Sequence, residues 1–493
     1  MYRNQYLAVS SKPKSTFLDI SPVCSSGLHI YASPFLEVSS SQYLGREVTL
    51  LGPVIDPMRP TMTNAEIAAY LAASCASVEN LFKEIQGLSG RYVVVYKNET
   101  DFVAIGDACN FRQMYFCFVD GHLVLMSSPK LFLEYFDYDL QMSESKKKLT
   151  EMPEYKRTQS AWFGDKSFDD RLRKVLPNHY LDISKKESRR IPFLSSPKFS
   201  NEGEIIEYAS SMLTGTFSSL AARYKLLQAL SSGYDTRMLL AATKKVKDEI
   251  QFFCCERSEA DISVSTNLSK ALGLRFNAVR REPLRDSFLA EYKREYIEPR
   301  IQQNTWYIQH HYDMHYDKDT VIINGNVTEI ARCYFGLSER EVKLNMLLAF
   351  SGYGKKSAFV TNELERWYPE ATAWGRSQGI NNLDLFCWEQ VMGNWCALFA
   401  FEQDIAIEQI SPFNNRSLIL GLLQAKGKRR KGPRYPFFRA LIQHLWPDTL
   451  SVPINPDMTY FRGHIRSSLT THYWAVNTRR FVESILGKSY WRY

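Results

Sequence analysis

The sequence lacks long hydrophobic runs. Its longest apolar clusters, such as Met346–Phe350 and Cys396–Phe401, fall far short of the ~18 consecutive apolar residues typical of a membrane-spanning helix. The opening residues, MYRNQYLAVS, contain no apolar stretch of the kind that a secretory signal requires. We therefore expect a cytoplasmic protein with no membrane partner.

Glycine, proline and paired cysteines are also scarce. The 493 residues include 24 Gly and 20 Pro, which excludes collagen-like and low-complexity chains. Nine cysteines are spread along the chain without a CxxC spacing, so they predict reduced thiols and neither a disulfide framework nor a zinc site. Because apolar residues make up 45% and charged residues 23%, disorder of the whole chain is excluded too.

Positive charge is in mild excess. The 61 Lys and Arg residues outnumber the 53 Asp and Glu residues, which gives a net charge of +8. A charge of this size suits an anionic ligand, but it is too small and too dispersed to predict nucleic-acid binding by itself.

The chain up to about residue 190 has the pattern of an antiparallel sheet domain. Short runs of β-branched and aromatic residues follow one another closely, separated by turn signals such as Asp120-Gly121. The predicted strands are Arg91–Tyr96, Asp101–Ile105, Gln113–Val119 and His122–Met126. The charged run Ser143–Lys148 predicts a solvated loop.

From about residue 200 the pattern changes to alternating helices and strands, which predicts βαβ units and a parallel sheet. Beyond about residue 335 the chain is predicted to be mainly helical. The predicted helices are Glu202–Tyr224, Thr236–Ala242 and Asp261–Gly273, and the predicted strands are Lys225–Leu230, Gln251–Cys255, Arg275–Val279 and Thr320–Ile323.

The turn from Ser231 to Thr236 carries the most chemistry. It lies between a predicted strand and a predicted helix, where backbone N–H groups and the helix N-terminus can face an anion. The hydroxyls of Ser231 and Thr236 can add donors. Asp235 would repel a phosphate unless a cation lay between them, so it is a candidate Mg²⁺ ligand. An ordinary helix N-cap explains the same residues equally well.

This turn, Ser231-Ser232-Gly233-Tyr234-Asp235-Thr236, resembles the pyrophosphate-binding loop Ser-Gly-Gly-x-Asp-Ser of the N-type ATP pyrophosphatases. Further segments resemble the asparagine synthetase and beta-lactam synthetase superfamily, and they follow its order over most of the chain. They are Gly90–Tyr92 with Asp107–Phe116, similar to the RDxxGxRPLYY hairpin of class II glutamine amidotransferases; Leu125–Lys130, similar to the FASExK strand; Leu176–Tyr180, similar to the segment closing that domain; Asp261, after the second strand; Asn324–Glu329, similar to the SGxGxDE loop; and Glu408–Asn415, similar to EVRxPFLD.

The resemblance implies an α/β protein of two domains. Residues 1–195 would form an αββα (Ntn-like) sandwich of the glutamine amidotransferase type. Residues 196–493 would form a parallel-sheet ATP-pyrophosphatase domain, like the adenine nucleotide alpha hydrolases, with a helical C-terminal extension.

The resemblance also implies an ATP-dependent, AMP-forming amide ligase. Its substrates would be a carboxylate, such as a sugar acid or small metabolite, and ammonia or an amine. Asp235 and Glu329 are the implied Mg²⁺ ligands, and Asp235, Glu329 and Glu408 are the candidate catalytic residues. Glu408 and Glu389 each suit a general base for the amine, although structural hydrogen bonding is the favoured interpretation of both. The candidate ATP-binding residues are Leu230, Ser231, Ser232, Gly233, Tyr234, Asp235, Thr236 and Gly325.

Three departures from the family pattern matter. The active glutaminases have a nucleophilic Cys directly after the initiator Met, whereas this chain has Tyr2 and its first cysteine is Cys24. We therefore expect no release of ammonia from glutamine. Ser232 replaces the first Gly of the loop and would crowd a phosphate if its φ angle were positive. Ile454 stands near the position of a family Lys.

Two other classes of function stay open. The same departures fit a non-catalytic nucleotide-binding descendant with a regulatory or scaffold role. Alternatively, the basic run Lys426–Arg434 would suit an adenylating enzyme that modifies nucleic acid. This run is typical of a solvated loop, although it could form a lid over a triphosphate, and no aromatic residue lies inside it to stack on bases. We disfavour a nucleic-acid partner, and a homodimer is among the open assembly states.

Two further groups have competing interpretations. His311 and His315 have the i, i+4 spacing of metal ligands, and His310 lies beside them, but without a third ligand they favour polar packing. Arg416 suits either a bound carboxylate or a structural salt bridge.

Overall fold

The computed structural model describes residues 2–297, 300, 305–337 and 341–455. Within these residues the strands are β1 (Tyr6–Val9), β2 (Val23–Ser25), β3 (Leu28–Ala32), β4 (Val38–Tyr43), β5 (Arg46–Leu51), β6 (Val54–Ile55), β7 (Ser89–Gly90), β8 (Val93–Lys97), β9 (Phe102–Gly106), β10 (Tyr115–Val119), β11 (His122–Met126), β12 (Arg173–Lys174), β13 (His179–Asp182), β14 (Glu187–Arg190), β15 (Lys225–Ala229), β16 (Ile250–Cys255), β17 (Phe276–Val279), β18 (Thr320–Ile323) and β19 (Glu408–Ile410).

The α-helices are α1 (Asn64–Ser74), α2 (Val78–Glu84), α3 (Pro129–Phe136), α4 (Glu144–Glu151), α5 (Pro153–Arg157), α6 (Glu202–Arg223), α7 (Tyr234–Ala242), α8 (Glu259–Leu272), α9 (Asp286–Glu295), α10 (Thr305–Asp313), α11 (Thr328–Ala331), α12 (Leu344–Phe350), α13 (Ala358–Gln378), α14 (Asn382–Phe386), α15 (Ala397–Gln403), α16 (Arg416–Leu423), α17 (Gly427–Arg430) and α18 (Pro436–Leu445). A π-helix spans Cys387–Cys396, and single 3₁₀ turns span Ile85–Gly87, Lys247–Glu249 and Pro447–Leu450.

The first part of the chain forms two stacked antiparallel sheets. One has the order β12-β10-β11-β1-β3-β2 and the other β14-β13-β9-β8-β5-β4. Alternate side chains of each strand point to opposite faces, so each sheet can take part in two cores. In β8, Val93 and Val95 pack between the sheets, whereas Val94 and Tyr96 pack against α1 and α2. The outer face of the other sheet packs against α3, which gives the layer order α-β-β-α.

The second part forms a five-stranded parallel sheet of order β17-β16-β15-β18-β19. The ends of two of its helices are set by capping residues. Asn201 caps α6, Ser258 caps α8, and α8 ends at Gly273, whose φ of +64° is the left-handed conformation that glycine adopts readily. The mixed α/β fold class expected from the sequence is therefore confirmed.

The two parts share one hydrophobic core. Side chains such as Phe111 and Trp162 from the first part pack in the same cluster as Leu213 and Trp388 from the second. The boundary predicted at residues 195 and 196 falls between β14 and α6. That each part is an independent domain stays a prediction, since this core is continuous across the boundary.

A buried cluster of charges crosses the same boundary. Arg91 donates to Asp404 (Nη2 to Oδ2, 2.7 Å) and to Glu408 (Nη1 to Oε1, 2.9 Å), and Arg112 donates to Glu408 through Nη2. All four side chains are almost fully removed from water. Two guanidinium groups and two carboxylates balance in charge, so the cluster is buried without a net charge.

Most predicted elements match those observed. The strands β11 and β18 have the predicted bounds, and the other predicted strands and helices differ by a few residues at their ends. The prediction of a solvated loop at Ser143–Lys148 is wrong, because α4 covers most of it. There Lys146 is buried and forms an ion pair of 2.6 Å with Asp170, which anchors the run.

Lys174 has an unusual environment at the contact between β12 and the π-helix. Its Nζ donates to the carbonyl of Gly393 (2.6 Å) and to Oδ1 of Asn394 (3.3 Å), and both acceptors are neutral. Burial lowers the pKa of Lys174 to about 7 from its ordinary 10.5. Between these values the unfolded chain binds a proton that the folded chain lacks, so stability rises with pH.

We expect Lys174→Met to remove this dependence. The wild type should gain up to about 1.4 kcal/mol of unfolding free energy per pH unit between pH 7 and pH 9 relative to the variant. Urea unfolding at several pH values measures this, with Lys148→Met as the control because the Lys148 side chain is 71% exposed. Parallel pH profiles for wild type and Lys174→Met would contradict the assignment.

Candidate functional site

The candidate site lies at the carboxyl edge of the parallel sheet, between β15 and β18. These strands are neighbours, although the chain reaches β16 and β17 on one side before it returns to β18 on the other. Such a change of direction opens a crevice beyond the strand ends, where α/β proteins bind their ligands. Two loops border it: Ser231–Gly233 after β15, and Asn324–Val327 after β18.

The Ser231–Thr236 loop is held by its own hydroxyls. Thr236 Oγ1 accepts from the N–H of Ser231 (3.2 Å) and lies 2.9 Å from Ser231 Oγ, which accepts from the N–H of Gly233 (3.2 Å). Leu230 is buried and donates its N–H to the carbonyl of Phe253 (2.7 Å), which extends the pairing of β15 with β16. The loop is thus shaped before any ligand arrives.

Helix α7 starts directly from this loop. Its N-cap is Gly233, which has no side chain to accept from the first-turn N–H groups. The N–H groups at the start of a helix have no acceptor within the helix, and they carry a partial positive charge. Tyr234, Asp235 and Thr236 therefore direct backbone donors toward the crevice, as an anion site requires.

The condition under which Ser232 would crowd a phosphate, a positive φ angle, is not met. The φ angle of Ser232 is not positive, so its Cβ causes no backbone strain. Its N–H and its Oγ both donate to Oδ1 of Asp261, each at 2.8 Å. Asp261, on the first turn of α8, also accepts from Ser258 Oγ (3.0 Å). The Ser232 hydroxyl thus ties the loop to the neighbouring helix.

The second loop approaches α7 very closely at Gly325. A Cβ added there would lie 2.7 Å from the Cβ of Asp235 and 3.1 Å from its carbonyl carbon. Only glycine fits this contact. Two residues later Val327 has a φ of +84°, a left-handed conformation that is strained for a β-branched residue.

Asp235 is bound by Thr328, the first residue of α11, and by Arg332, which caps the end of that helix. Thr328 Oγ1 donates to its Oδ1, and Arg332 binds it in a bidentate ion pair, Nε to Oδ1 and Nη2 to Oδ2, both at 2.8 Å. Arg332 Nη2 also lies 3.7 Å from Oε1 of Glu329. The structure therefore brings Asp235 and Glu329 to the same guanidinium.

A magnesium ion does not fit this arrangement. Mg²⁺ needs carboxylate oxygens at about 2.0–2.1 Å in octahedral geometry. Here both oxygens of Asp235 accept from Arg332, so a guanidinium occupies the place expected for the metal. Among the residues that the structure describes, no group of three His, Cys, Asp or Glu could hold a metal ion.

The far C-terminal part of the described chain closes the other side of the loop. Tyr234 OH donates to the carbonyl of Arg434 (2.9 Å), and its ring meets that of Tyr435 edge-on at 4.9 Å. The N–H of Asn455 donates to the carbonyl of Ser232 (2.9 Å). Arg237 on α7 donates to the carbonyls of Thr449 and Val452, both at 2.7 Å, and so holds this segment down.

The basic run Lys426–Arg434 is only partly the solvated loop that its composition predicts. Arg429 forms an ion pair with Glu202 (2.6 Å). Arg430 is buried and donates to the carbonyl of Ala331 (2.8 Å). The middle of the run is therefore anchored beside the candidate site, while Lys426, Lys428 and Arg434 stay exposed.

Glu408 does not join Asp235 and Glu329, which corrects its assignment as a catalytic base. It pairs in register with Val321 of β18, which in turn pairs with Leu226 of β15. Ser231 lies five residues beyond Leu226, roughly 15 Å further along the strand direction. Glu408 therefore lies toward the opposite edge of the sheet, bound to Arg91 and Arg112.

The other candidate polar residues also have structural roles. Glu389 is fully buried and accepts from Trp367 Nε1 (2.7 Å) and Asn178 Nδ2 (3.2 Å), besides its ion pair with Arg190. Arg416 donates through Nη2 to the carbonyls of Gly106 and Asp107, both at 2.9 Å, and so joins the two parts of the chain.

His311 and His315, the pair with metal-ligand spacing, lie in different environments. His311 is buried against the rings of Phe253 and Tyr307, and burial lowers its pKa to about 3. His315 is exposed. Tyr2 is buried, and its hydroxyl donates to Glu134. None of the α-helices in the described ranges is long and apolar enough to cross a membrane.

The sequence reasoning missed Thr328 and Arg332. Arg332 stands three residues after Glu329, a spacing that pairs opposite charges on one helix face, so a signal was present. Nothing in the sequence marks its second partner, Asp235, 97 residues earlier in the chain.

Comparison with known proteins leaves the family open. No family model matches the chain, and no curated protein matches it. The resemblance to asparagine synthetases therefore stays a prediction.

Solved structures match only weakly. The glutamine-dependent NAD⁺ synthetase from Acinetobacter baumannii in complex with ADP is 14% identical, with a TM-score of 0.21, over 43% of this chain and 51% of that one. This chain thus spans about half the length of that synthetase. Glutamine phosphoribosylpyrophosphate amidotransferase from B. subtilis, complexed with ADP and GMP, is 11% identical, with a TM-score of 0.23, over 67% of this chain and 71% of that one. The allosteric regulatory enzyme of purine biosynthesis is 10% identical, with a TM-score of 0.24, over the same shares. We assign neither a fold family nor a function from similarities at these TM-scores.

The contact at Gly325 gives a direct test of the site geometry. Gly325→Ala should force the second loop away from α7 and lower the free energy of unfolding by about 1–3 kcal/mol, as overpacking does elsewhere. Gly87→Ala is the matched control, because a Cβ at Gly87 would meet nothing within 4 Å. Chemical unfolding measures both variants. Equal free energies of unfolding for the two variants would show that the second loop does not approach α7 as described.

Proposed function

We propose that the protein binds ATP at the Ser231–Thr236 loop and uses it to form an amide, with release of AMP and pyrophosphate. The observation that carries this proposal is the start of α7, which faces the crevice between β15 and β18 from a loop of small hydroxyl residues. A helix N-terminus in such a crevice attracts phosphate through its N–H groups and its dipole.

The proposed reaction has two steps. An oxygen of the substrate carboxylate attacks the α-phosphorus of ATP, and the bond from that phosphorus to the pyrophosphate oxygen breaks. The N–H groups at the start of α7 would stabilise the charge on the departing pyrophosphate. Next the nitrogen of ammonia or an amine attacks the acyl carbon, AMP leaves with the bonding electrons, and the nitrogen gives up a proton to solvent water.

The nucleotide contacts we propose are those of the two loops. They are Leu230, Ser231, Ser232, Gly233, Tyr234, Asp235 and Thr236, together with Gly325 and the nearby Glu329. Mg²⁺ bound by Asp235 and Glu329 is not part of the proposal, because Arg332 fills that place. No general base is assigned, since Glu408 lies away from the loop.

In this proposal the first part of the chain does not release ammonia from glutamine. We interpret residues 1–195 as an amidotransferase-like domain without a thiol nucleophile, and residues 196–493 as the ATP-pyrophosphatase-like domain. Tyr2 carries a hydrogen-bonded phenol where the related glutaminases carry a thiol. Ammonia or an amine would therefore come from solution, and the acid would be a sugar acid or another small carboxylic acid.

A second candidate is a protein that binds nucleotide without turnover. The specific observation in its favour is the bidentate ion pair between Asp235 and Arg332. Because both carboxylate oxygens are bound by the guanidinium, Asp235 does not hold a metal ion for catalysis. The two candidates share the nucleotide site and differ in the chemistry.

Pyrophosphate release separates these candidates. With ATP, an ammonium salt and a panel of carboxylic acids, the ligase should release pyrophosphate and AMP in equal amounts with at least one acid. Glutamine in place of ammonium should yield no glutamate. ATP binding with no pyrophosphate release across the panel would establish the second candidate and reject the first.

Gly233 allows a test of the nucleotide site by charge alone. A Cβ there meets only Ser231 Oγ at 3.4 Å and Asn455 Oδ1 at 4.0 Å, so both Gly233→Asp and Gly233→Asn fit, and both are good N-cap residues. Only the aspartate places a negative charge at the proposed phosphate position. We expect Gly233→Asp to bind ATP at least about tenfold more weakly than Gly233→Asn in calorimetric titration. Equal affinities would exclude phosphate binding at this loop.

A further inference from the structure

The charge balance at Asp235 sets up an inference that rests on the proposed nucleotide site. A carboxylate in the first turn of α7 opposes the binding of a triphosphate at the same helix end. Asp235 carries a negative charge beside the proposed phosphate position, and a protein that binds phosphate here must compensate it. In many nucleotide sites a divalent cation does so.

Arg332 is fixed in the position to provide this compensation. It makes two contacts of 2.8 Å with Asp235, and its Nε lies 3.3 Å from Thr328 Oγ1. The guanidinium stacks over the Tyr435 ring, 5.3 Å from the ring centroid. Its side chain is only 14% exposed. A planar, permanently charged group held from several sides is a preorganised countercharge.

We propose that Arg332 takes the place of a metal ion at this site, so that the protein binds nucleoside triphosphate without a divalent cation. Arg332 acts as a positioning residue: it neutralises Asp235 and leaves the N–H groups of α7 to attract phosphate. A cation bound at Asp235 would first have to displace the bidentate guanidinium, which makes metal binding there unfavourable.

The test is ATP binding by the full chain in isothermal titration calorimetry, with EDTA or with excess Mg²⁺. The wild type should bind ATP in EDTA within about threefold of its affinity in Mg²⁺. Arg332→Gln should bind at least about tenfold more weakly in EDTA and regain affinity in Mg²⁺, because Asp235 is then free to hold the ion. Arg332→Lys keeps the positive charge without the bidentate geometry, so in EDTA it should bind more tightly than Arg332→Gln.

Two further variants control for net charge and for folding. Arg429→Gln removes one positive charge that pairs with Glu202 and not with Asp235, so it should leave the EDTA affinity unchanged. In the double variant Asp235→Asn with Arg332→Gln, the charge that needed compensation is gone, and binding in EDTA should return to within about threefold of the wild type.

The outcomes distinguish this inference from the proposed function. Wild-type binding that requires Mg²⁺ would overturn the role of Arg332 while the nucleotide site stands. The same holds if Arg332→Gln binds as tightly as the wild type in EDTA, or if the double variant is as weak as Arg332→Gln. Absence of ATP binding in both buffers would reject the nucleotide site itself.

Discussion

The buried pairing of Arg91 and Arg112 with Asp404 and Glu408 is the constraint on which the arrangement of the two parts depends. Removing one partner would strand a charge in the protein interior, at a cost of about 3–5 kcal/mol. Because β19 begins at Glu408, the cluster fixes the edge of the parallel sheet against the first part of the chain. The neighbouring strand β18 is thereby positioned, and with it the loop that reaches Asp235.

The candidate site is likewise held by interactions within the chain. Asp261 accepts from Ser232, and Arg332 neutralises Asp235, so both loops are set before a ligand binds. The strain at Val327 is held in place by this packing, as strained residues at functional sites often are. What the crevice offers a ligand is therefore a preformed set of N–H donors.

The sequence predicts what depends on neighbouring residues and misses what depends on distant ones. Periodicity predicted β18 and α7, and the small residues of the Ser231–Thr236 turn predicted a loop between a strand and a helix. Glu408 was assigned to catalysis because no local pattern reveals its partner Arg91, 317 residues away. The Mg²⁺ site predicted at Asp235 fails for the same reason, since Arg332, at the end of α11, follows 97 residues later.

Amide hydrogen exchange with and without ATP tests the central claim, phosphate binding at the start of α7, most directly. Saturating ATP should slow exchange in the peptide that contains Tyr234, Asp235 and Thr236, whose N–H groups would become donors to phosphate. The strand Lys225–Ala229 should exchange at the same rate in both states, because its amides are already paired. Unchanged exchange at residues 234–236 under saturating ATP would contradict the account.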